Sequence, residues 1–343
     1  MRVLVVGMLA AAACSSGSGS SPPALVDIGQ GLRGPAGLAA TVYASGLTNV
    51  AAIAFDGTGR LWAATAAYSD KGQDGVYVVT NAGAAPTKVI DSIHTPLGLL
   101  WLHDTLYVAS KEEVETYTGF DGTAFAQHQP VVALPSGVGE VNGLVLAPDG
   151  RIQLGISAPC DHCRTTIAES AAIVSFTADG SGLRVDVKGV RAPIDLAYFP
   201  NTNDLFVTMN QRDDLGDKTP ADWLSLVQTG QSWGFPDCYG QGGTACNRVP
   251  APVAELDKHG AVSGLAIVTG QLGATVGTAA IVAEWQTGKV AQVALTKTGS
   301  TYAGKASTFL TGVKNPEPLV LASDGALFVG DWTTGTIYRI ART

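Results

Sequence analysis

The chain has 343 residues, and its 21 Lys and Arg against 29 Asp and Glu leave a formal charge of −8 at pH 7. Nucleic-acid phosphates are bound by basic stripes, so this balance argues against nucleic acid as a partner. Charged residues make up 15% of the chain and glycines number 42, where about 25% charged and about 7% glycine are usual. A weakly charged, turn-rich chain with 46% hydrophobic residues has ample material for a core and is not disordered.

Residues 1–14 read MRVLVVGMLAAAAC. One Arg precedes an apolar run from Val3 to Ala13, too short to span a bilayer and of the length of a signal-peptide apolar region. Small residues then lead into Cys14, a pattern similar to a bacterial lipoprotein signal in which that cysteine carries the lipid. An ordinary secretory signal is the alternative, and both imply export. Residues 15–38, beginning SSGSGSSPP, are expected to be a flexible tether, and residues 39–343 a single domain. Any membrane contact is expected through the lipid anchor alone.

From Gly46 onward one phrase recurs: a loop ending in a small residue or Pro, an apolar run, a turn with Gly, Asn or Asp, and a second apolar run. Its copies are GLTNVAAIAFDGTGRLWAAT, HTPLGLLWLHDTLYVAS, VNGLVLAPDGRIQLGIS, GVRAPIDLAYFPNTNDLFVTMN, AVSGLAIVTGQLGATVGTAAIVAEW and GVKNPEPLVLASDGALFVGDW. Most are followed by a third apolar segment, as in GVYVVT, AAIVSFT, GKVAQVAL and GTIYRI. Turns such as FDGTGR, APDGR and ASDGA supply the positive φ of tight hairpins between runs rich in Val, Ile, Leu and Phe. Dividing the remaining ~305 residues by six gives about 51 per repeat, close to the ~40–50 of a four-stranded propeller blade. The expected fold is all-β, a six-bladed propeller, with the segment ATVYASGL joining GTIYRI in the last blade to close the ring. A seven-bladed ring or a sandwich is the competing arrangement.

Setting Cys14 aside, the cysteines fall into two close pairs, and in an oxidising compartment the expected disulfides are Cys160–Cys163 and Cys238–Cys246. A zinc knuckle in PCDHC would lack its second C-x-x-C. Arg164 follows Cys163 where a c-type haem site needs His, so no haem is expected, and no nicotinamide either.

The stretch from Ile173 to Cys238, with GVRAP, the strand ending in MNQ, ADWLSL and GQSWGFPDC, resembles the soluble quinoprotein glucose and sorbosone dehydrogenase family. The C-x-x-C after the PDGR turn resembles its sorbosone-type branch. The resemblance implies a six-bladed propeller that oxidises sugars with pyrroloquinoline quinone (PQQ) and Ca²⁺ at the axis. It implies Arg191 on the quinone. It also carries departures: Gly139 stands where the family has its catalytic His, Ala192 follows Arg191 in place of Asn, Asn315, Pro316 and Glu317 occupy the sixth-blade position of basic residues, and Trp223 and Ser225 replace Glu and Asn. PQQ is a tricarboxylate, and its carboxylates are costly to desolvate without cations. The departures therefore predict weak quinone binding.

In a propeller the loops before the innermost strands converge on the axial pocket. The polar residues there are Asn49, His94, Glu140, Asn142, Arg191, Asp195, His259, Ser263 and Glu317. Asn49 and Asn142 join Arg191 as candidate cofactor contacts, and His94 or Glu140 is the candidate base. Against these stand plain structural roles: His94 as a loop cap, His259 as a solvated side chain, Arg191 in an ion pair with Asp195. Asp195, Asp213 and Asp214 are candidate metal ligands, since Ca²⁺ takes six or more oxygens, although QRDDLGDK also reads as a solvated loop. Trp223, Trp233 and Phe235 are expected to pack beneath it. The sequence thus points to an exported monomer holding a small sugar-like molecule, and to a sugar dehydrogenase if it is active. The alternatives are a binding propeller with a decayed quinone site, or a metal-dependent lactonase using Glu140, Asn142 and Asp195.

Overall fold

The turn Asp56-Gly57-Thr58-Gly59 shows how each hairpin phrase folds. The Asp56 carboxylate accepts the backbone N–H of Thr58 at 2.8 Å and of Arg60 at 3.1 Å, and the Trp62 indole N–H at 2.9 Å. Gly59 holds φ at 88°, a conformation that glycine adopts without steric cost. The second phrase turns instead on His103 and Asp104, both at positive φ (46° and 57°).

The computed structural model describes residues 24–69, 74–240 and 244–343. Its strands form six antiparallel sheets in a ring, the predicted six-bladed propeller. Every hairpin phrase supplies the two inner strands of one blade. The innermost are Val50–Phe55, Gly98–Leu102, Val141–Leu146, Ala192–Tyr198, Val262–Thr269 and Pro316–Leu321, in blades 1 to 6. Strand Leu38–Ala44 pairs with Thr336–Arg342, setting Val42 against Tyr338 and Ala44 against Ile337. Blade 6 is thus closed by the early strand, as expected. No helix among the described residues is long and apolar enough to cross a membrane.

Residues 1–23, with Cys14, lie outside the described residues. The expected tether over 15–38 is corrected from Val26 onward. Val26–Gly29 and Leu32–Gly34 form a hairpin that adds to the outer edge of blade 5, with Arg33 opposite Thr311. Ile28 and Leu32 are buried in the core between blades 5 and 6, and two such apolar anchors overcome the weak β preference of the surrounding glycines.

Six apolar clusters occupy the six gaps between adjacent blades. Each sheet face is covered by its neighbour, which is why one blade alone would not hold its shape. Near the axis the backbones approach so closely that a Cβ on Gly98 would stand 2.3 Å from the Asn142 carbonyl oxygen, and one on Gly264 2.4 Å from that of Glu317. Glycine is required there for space.

Both predicted disulfides are formed, Cys160–Cys163 and Cys238–Cys246.

Candidate functional site in the axial cavity

Five of the six innermost strands carry a register shift at the same place, at Val50/Ala52, Val141/Leu144, Pro193/Leu196, Val262/Leu265 and Pro316/Leu319. Such bulges re-aim a side chain. Here they bring Ala51, Asn142, Ile194, Ser263 and Glu317 to the wall of an axial cavity of about 1000 Å³. A second cavity of about 620 Å³ opens over blades 2 to 5. Tyr68, Leu97, Glu140, Ile194, Asn210 and Ala261 line both cavities, so the two share one wall.

The polar bulge residues tie blade to blade. Asn142 donates from its amide to the Pro193 carbonyl at 2.9 Å, and to Ser157. Ser263 donates to the Glu317 carbonyl at 3.2 Å. Glu317 is only 8% exposed, and its Oε1 accepts the Tyr68 hydroxyl at 3.1 Å, which crosses the closure of the ring. Burial pushes the Glu317 carboxyl up to about 8, with the charge of Glu140 adding and the Tyr68 hydrogen bond opposing. Glu140 keeps an exposed side chain on the cavity wall, and the protein crowded around it raises its carboxyl, against the pull of Arg191. Tyr68 is 47% exposed as a residue, while its hydroxyl is raised by the protein packed around it and by the carboxylates of Glu317 and Glu140. Tyr68 holds φ at 54°, a costly conformation for an aromatic residue of the kind that concentrates at functional sites.

The remaining sequence candidates are placed as follows. Asp195 sits one residue past the bulge position, and its carboxylate accepts the N–H of Leu265 at 2.8 Å and of Leu196 at 2.9 Å. It staples blade 4 to blade 5; burial lifts it to about 7, these N–H groups opposing. Arg191 does not pair with Asp195. Its guanidinium meets Asp161, inside the Cys160–Cys163 loop, at 2.5 Å, and donates to the Asp161 carbonyl at 2.9 Å. The same Asp161 carboxylate accepts the backbone N–H of Asp213 and of Asp214. The Asp213 carboxylate pairs with His259 at 2.8 Å. Asp214 is held down to about 2 by Arg212. No group of three or more His, Cys, Asp or Glu among the described residues has the arrangement of a metal site. Asn49 and His94 line neither cavity; Asn49 instead donates its backbone N–H to the Trp332 carbonyl. Trp223 and Trp233 are buried packing residues.

A quinone tricarboxylate does not fit the axial cavity; the second cavity carries Lys111 and Arg191, set among Glu140, Asp161, Asp213 and Asp222. Among the described residues, the charged side chains lining the axial cavity are Asp56, Glu140, Asp195 and Glu317, all acidic. Gly139, at the place of the family's base, has no room for a side chain, since a Cβ there would stand 2.4 Å from the carbonyl oxygens of both Ser157 and Ala158.

Sequence reasoning missed Tyr68, Asn210, Trp285 and Trp332, which also line the axial cavity. They end, or closely follow, the second strand of their blades. In an antiparallel hairpin the end of the second strand lies beside the start of the first, so the rule that found Glu140 and Glu317 extends to them. The Asn210 side-chain oxygen is buried with no hydrogen-bond partner.

No protein-family model and no curated protein matches the chain. Solved structures do. A carbohydrate-active enzyme of family AA12 from Trichoderma reesei matches at TM-score 0.74 and 17% identity, covering 96% of this chain and 100% of that one. The PQQ domain of pyranose dehydrogenase from Coprinopsis cinerea, in its holo form, matches at 0.73 and 17%, covering 95% and 99%. The PQQ-bound aldose sugar dehydrogenase of Streptomyces coelicolor matches at 0.69 and 18%, covering 90% and 99%. The chain therefore shares its six-bladed propeller fold with these three structures.

Proposed function

We propose that this chain is a binding propeller, built on the sugar dehydrogenase fold, that holds a small hydroxylated molecule in its axial cavity and does not oxidise sugars through PQQ. The observation that carries the reading is the charge of the axial cavity: every charged side chain lining it, among the described residues, is a carboxyl, and Arg191 in the adjoining cavity is already engaged by Asp161. Burying carboxylates of a quinone against carboxylates of the protein costs free energy on both sides. The polar and aromatic wall, with Asn142, Asn210, Ser263, Tyr68, Trp285 and Trp332, suits hydroxyl groups and apolar ring faces together. The metal-dependent lactonase reading finds no support, because Asn142 and Asp195 spend their side chains on links between blades. The proposal includes export, with Cys14 as the lipid-bearing residue.

The test is calorimetric titration with PQQ and Ca²⁺, alongside dye reduction by reconstituted protein across a panel of aldoses. No submicromolar quinone binding and no dye reduction are expected, with direct binding of at least one small polyol or sugar. Submicromolar quinone binding with sugar-dependent dye reduction would overturn the reading in favour of a dehydrogenase.

A further inference from the structure

The small-molecule reading leaves the charge of the ligand open, and the shared wall of the two cavities addresses it. Glu317 is 8% exposed, yet among the described residues only its Oε1 has a hydrogen-bond partner, the Tyr68 hydroxyl. Its other oxygen is left for the cavity that Glu317 lines. Glu140 lines both cavities and has no side-chain hydrogen bond among the described residues. The two carboxyls are near enough for the charge of one to raise the other. By contrast, the carboxylates of Asp56 and Asp195 in the same cavity are occupied by structural hydrogen bonds. The same cavity is walled by Trp285 and Trp332, whose rings meet edge to face with centroids 5.5 Å apart.

Two carboxyls with unfilled acceptor capacity, beside aromatic rings in a cavity whose described lining holds no Lys or Arg, form a site for a cation; Lys111 and Arg191 line the second cavity alone, where Asp161 holds Arg191. Carboxylates supply charge, and aromatic faces favour an organic ammonium over a small hydrated metal ion. We infer that the axial cavity takes a small hydroxylated organic cation, its ammonium group held by Glu140 and Glu317 beside Tyr68, with Trp285 and Trp332 along its apolar part. The inference rests on the small-molecule reading above.

The site also dictates a proton count. Glu317 faces Tyr68 and Glu140; Arg191 acts on Glu140, and Asp74 on Tyr68. At pH 7 the Glu317 carboxyl holds its proton, and an arriving cation favours the ionised form. Binding therefore releases a proton to the buffer.

The probes are choline, whose charge does not change with pH, its uncharged isostere 3,3-dimethyl-1-butanol, and glucose. Each is titrated calorimetrically into the full chain at pH 7, in two buffers of different ionisation enthalpy. Choline is expected to bind at least tenfold more tightly than the isostere, with a buffer-dependent heat that reports proton release. Glu317→Gln should abolish the proton release, and both it and Glu140→Gln should weaken choline at least tenfold, while circular dichroism keeps the wild-type spectrum. Equal binding of choline and the isostere, or choline binding that neither substitution affects, would overturn the inference. Glucose binding without choline binding would overturn it and leave the small-molecule reading standing. Binding of none of the three would overturn it as well, and the sugar panel above decides the broader reading separately. Displacement of choline by Ca²⁺ in the micromolar range would reassign the carboxyls to a metal.

Discussion

The Arg191 guanidinium meets the Asp161 carboxylate at 2.5 Å across thirty residues of chain. This pair docks the Cys160–Cys163 loop over the second cavity and, of the two cations that line it among the described residues, Lys111 and Arg191, engages Arg191. Asp161→Asn should release that cation. Charge-assisted hydrogen bonds contribute about 1.5–3 kcal/mol, so thermal unfolding of the variant should show a loss of about 1–3 kcal/mol. Binding of PQQ should strengthen by roughly tenfold or more, at about 1.4 kcal/mol per tenfold. A variant with unchanged stability and unchanged quinone binding would show that the pair contributes nothing to either.

Glu317 makes stability depend on pH in a definite direction. Its carboxyl is raised from 4.5 to about 8 in the folded chain, so the folded state holds the proton more tightly than the unfolded state. That contribution is fully present below pH 4.5 and is lost as pH rises through about 8. Asp195 and Asp222, each lifted to about 7 by burial, act in the same sense. Urea denaturation at pH 5, 7 and 9 should show falling stability. Glu317→Gln should recover about 2 kcal/mol at pH 9, within the ceiling of roughly 5 kcal/mol set by 1.36 kcal/mol per pKa unit. At pH 5 it should recover under about 1 kcal/mol, since pH 5 lies only just above the unfolded value of 4.5. A variant that tracks the wild type at every pH would refute the assignment.

Restoring the family's base should fail for steric reasons. Gly139→His would place a Cβ 2.4 Å from two carbonyl oxygens, and overpacking of that kind costs about 1–3 kcal/mol. The expected result is a lower denaturation midpoint without gain of sugar oxidation. A stable, oxidising variant would mean that the loop before blade 3 can move aside.

Leu32 tests the structured start of the domain. It is fully buried, and replacing a buried Leu by Ala costs about 2–5 kcal/mol. Leu32→Ala should lower stability by that amount in chemical denaturation, whereas a flexible tether would lose nothing.

Much of the architecture was legible because it is local. Asp-Gly turns such as Asp56-Gly57 and the alternation of apolar runs name the hairpins, their count names the ring, and close spacing pairs Cys160 with Cys163 and Cys238 with Cys246. The rule that residues before the innermost strands face the axis found Glu140, Asn142, Ser263 and Glu317. The start of the domain was missed because glycines and short polar residues around Ile28 and Leu32 carry a weak strand signal, and burial against blade 5 decides their state.

The sequence by itself determined the blades and the ring closure, because each follows from short-range pattern. Only the tertiary structure decided which polar side chain serves the cavity and which serves the scaffold. Asp195 and Glu317 look alike in sequence and both line the axial cavity, yet one residue of offset at a bulge commits the Asp195 carboxylate to the N–H groups of Leu196 and Leu265, while Glu317 accepts the Tyr68 hydroxyl through Oε1. Tyr68 reaches Glu317 across 249 residues, and Arg191 finds Asp161 in preference to its neighbour Asp195. Partners of this kind are chosen by where the closed ring places the backbone, which no local periodicity encodes.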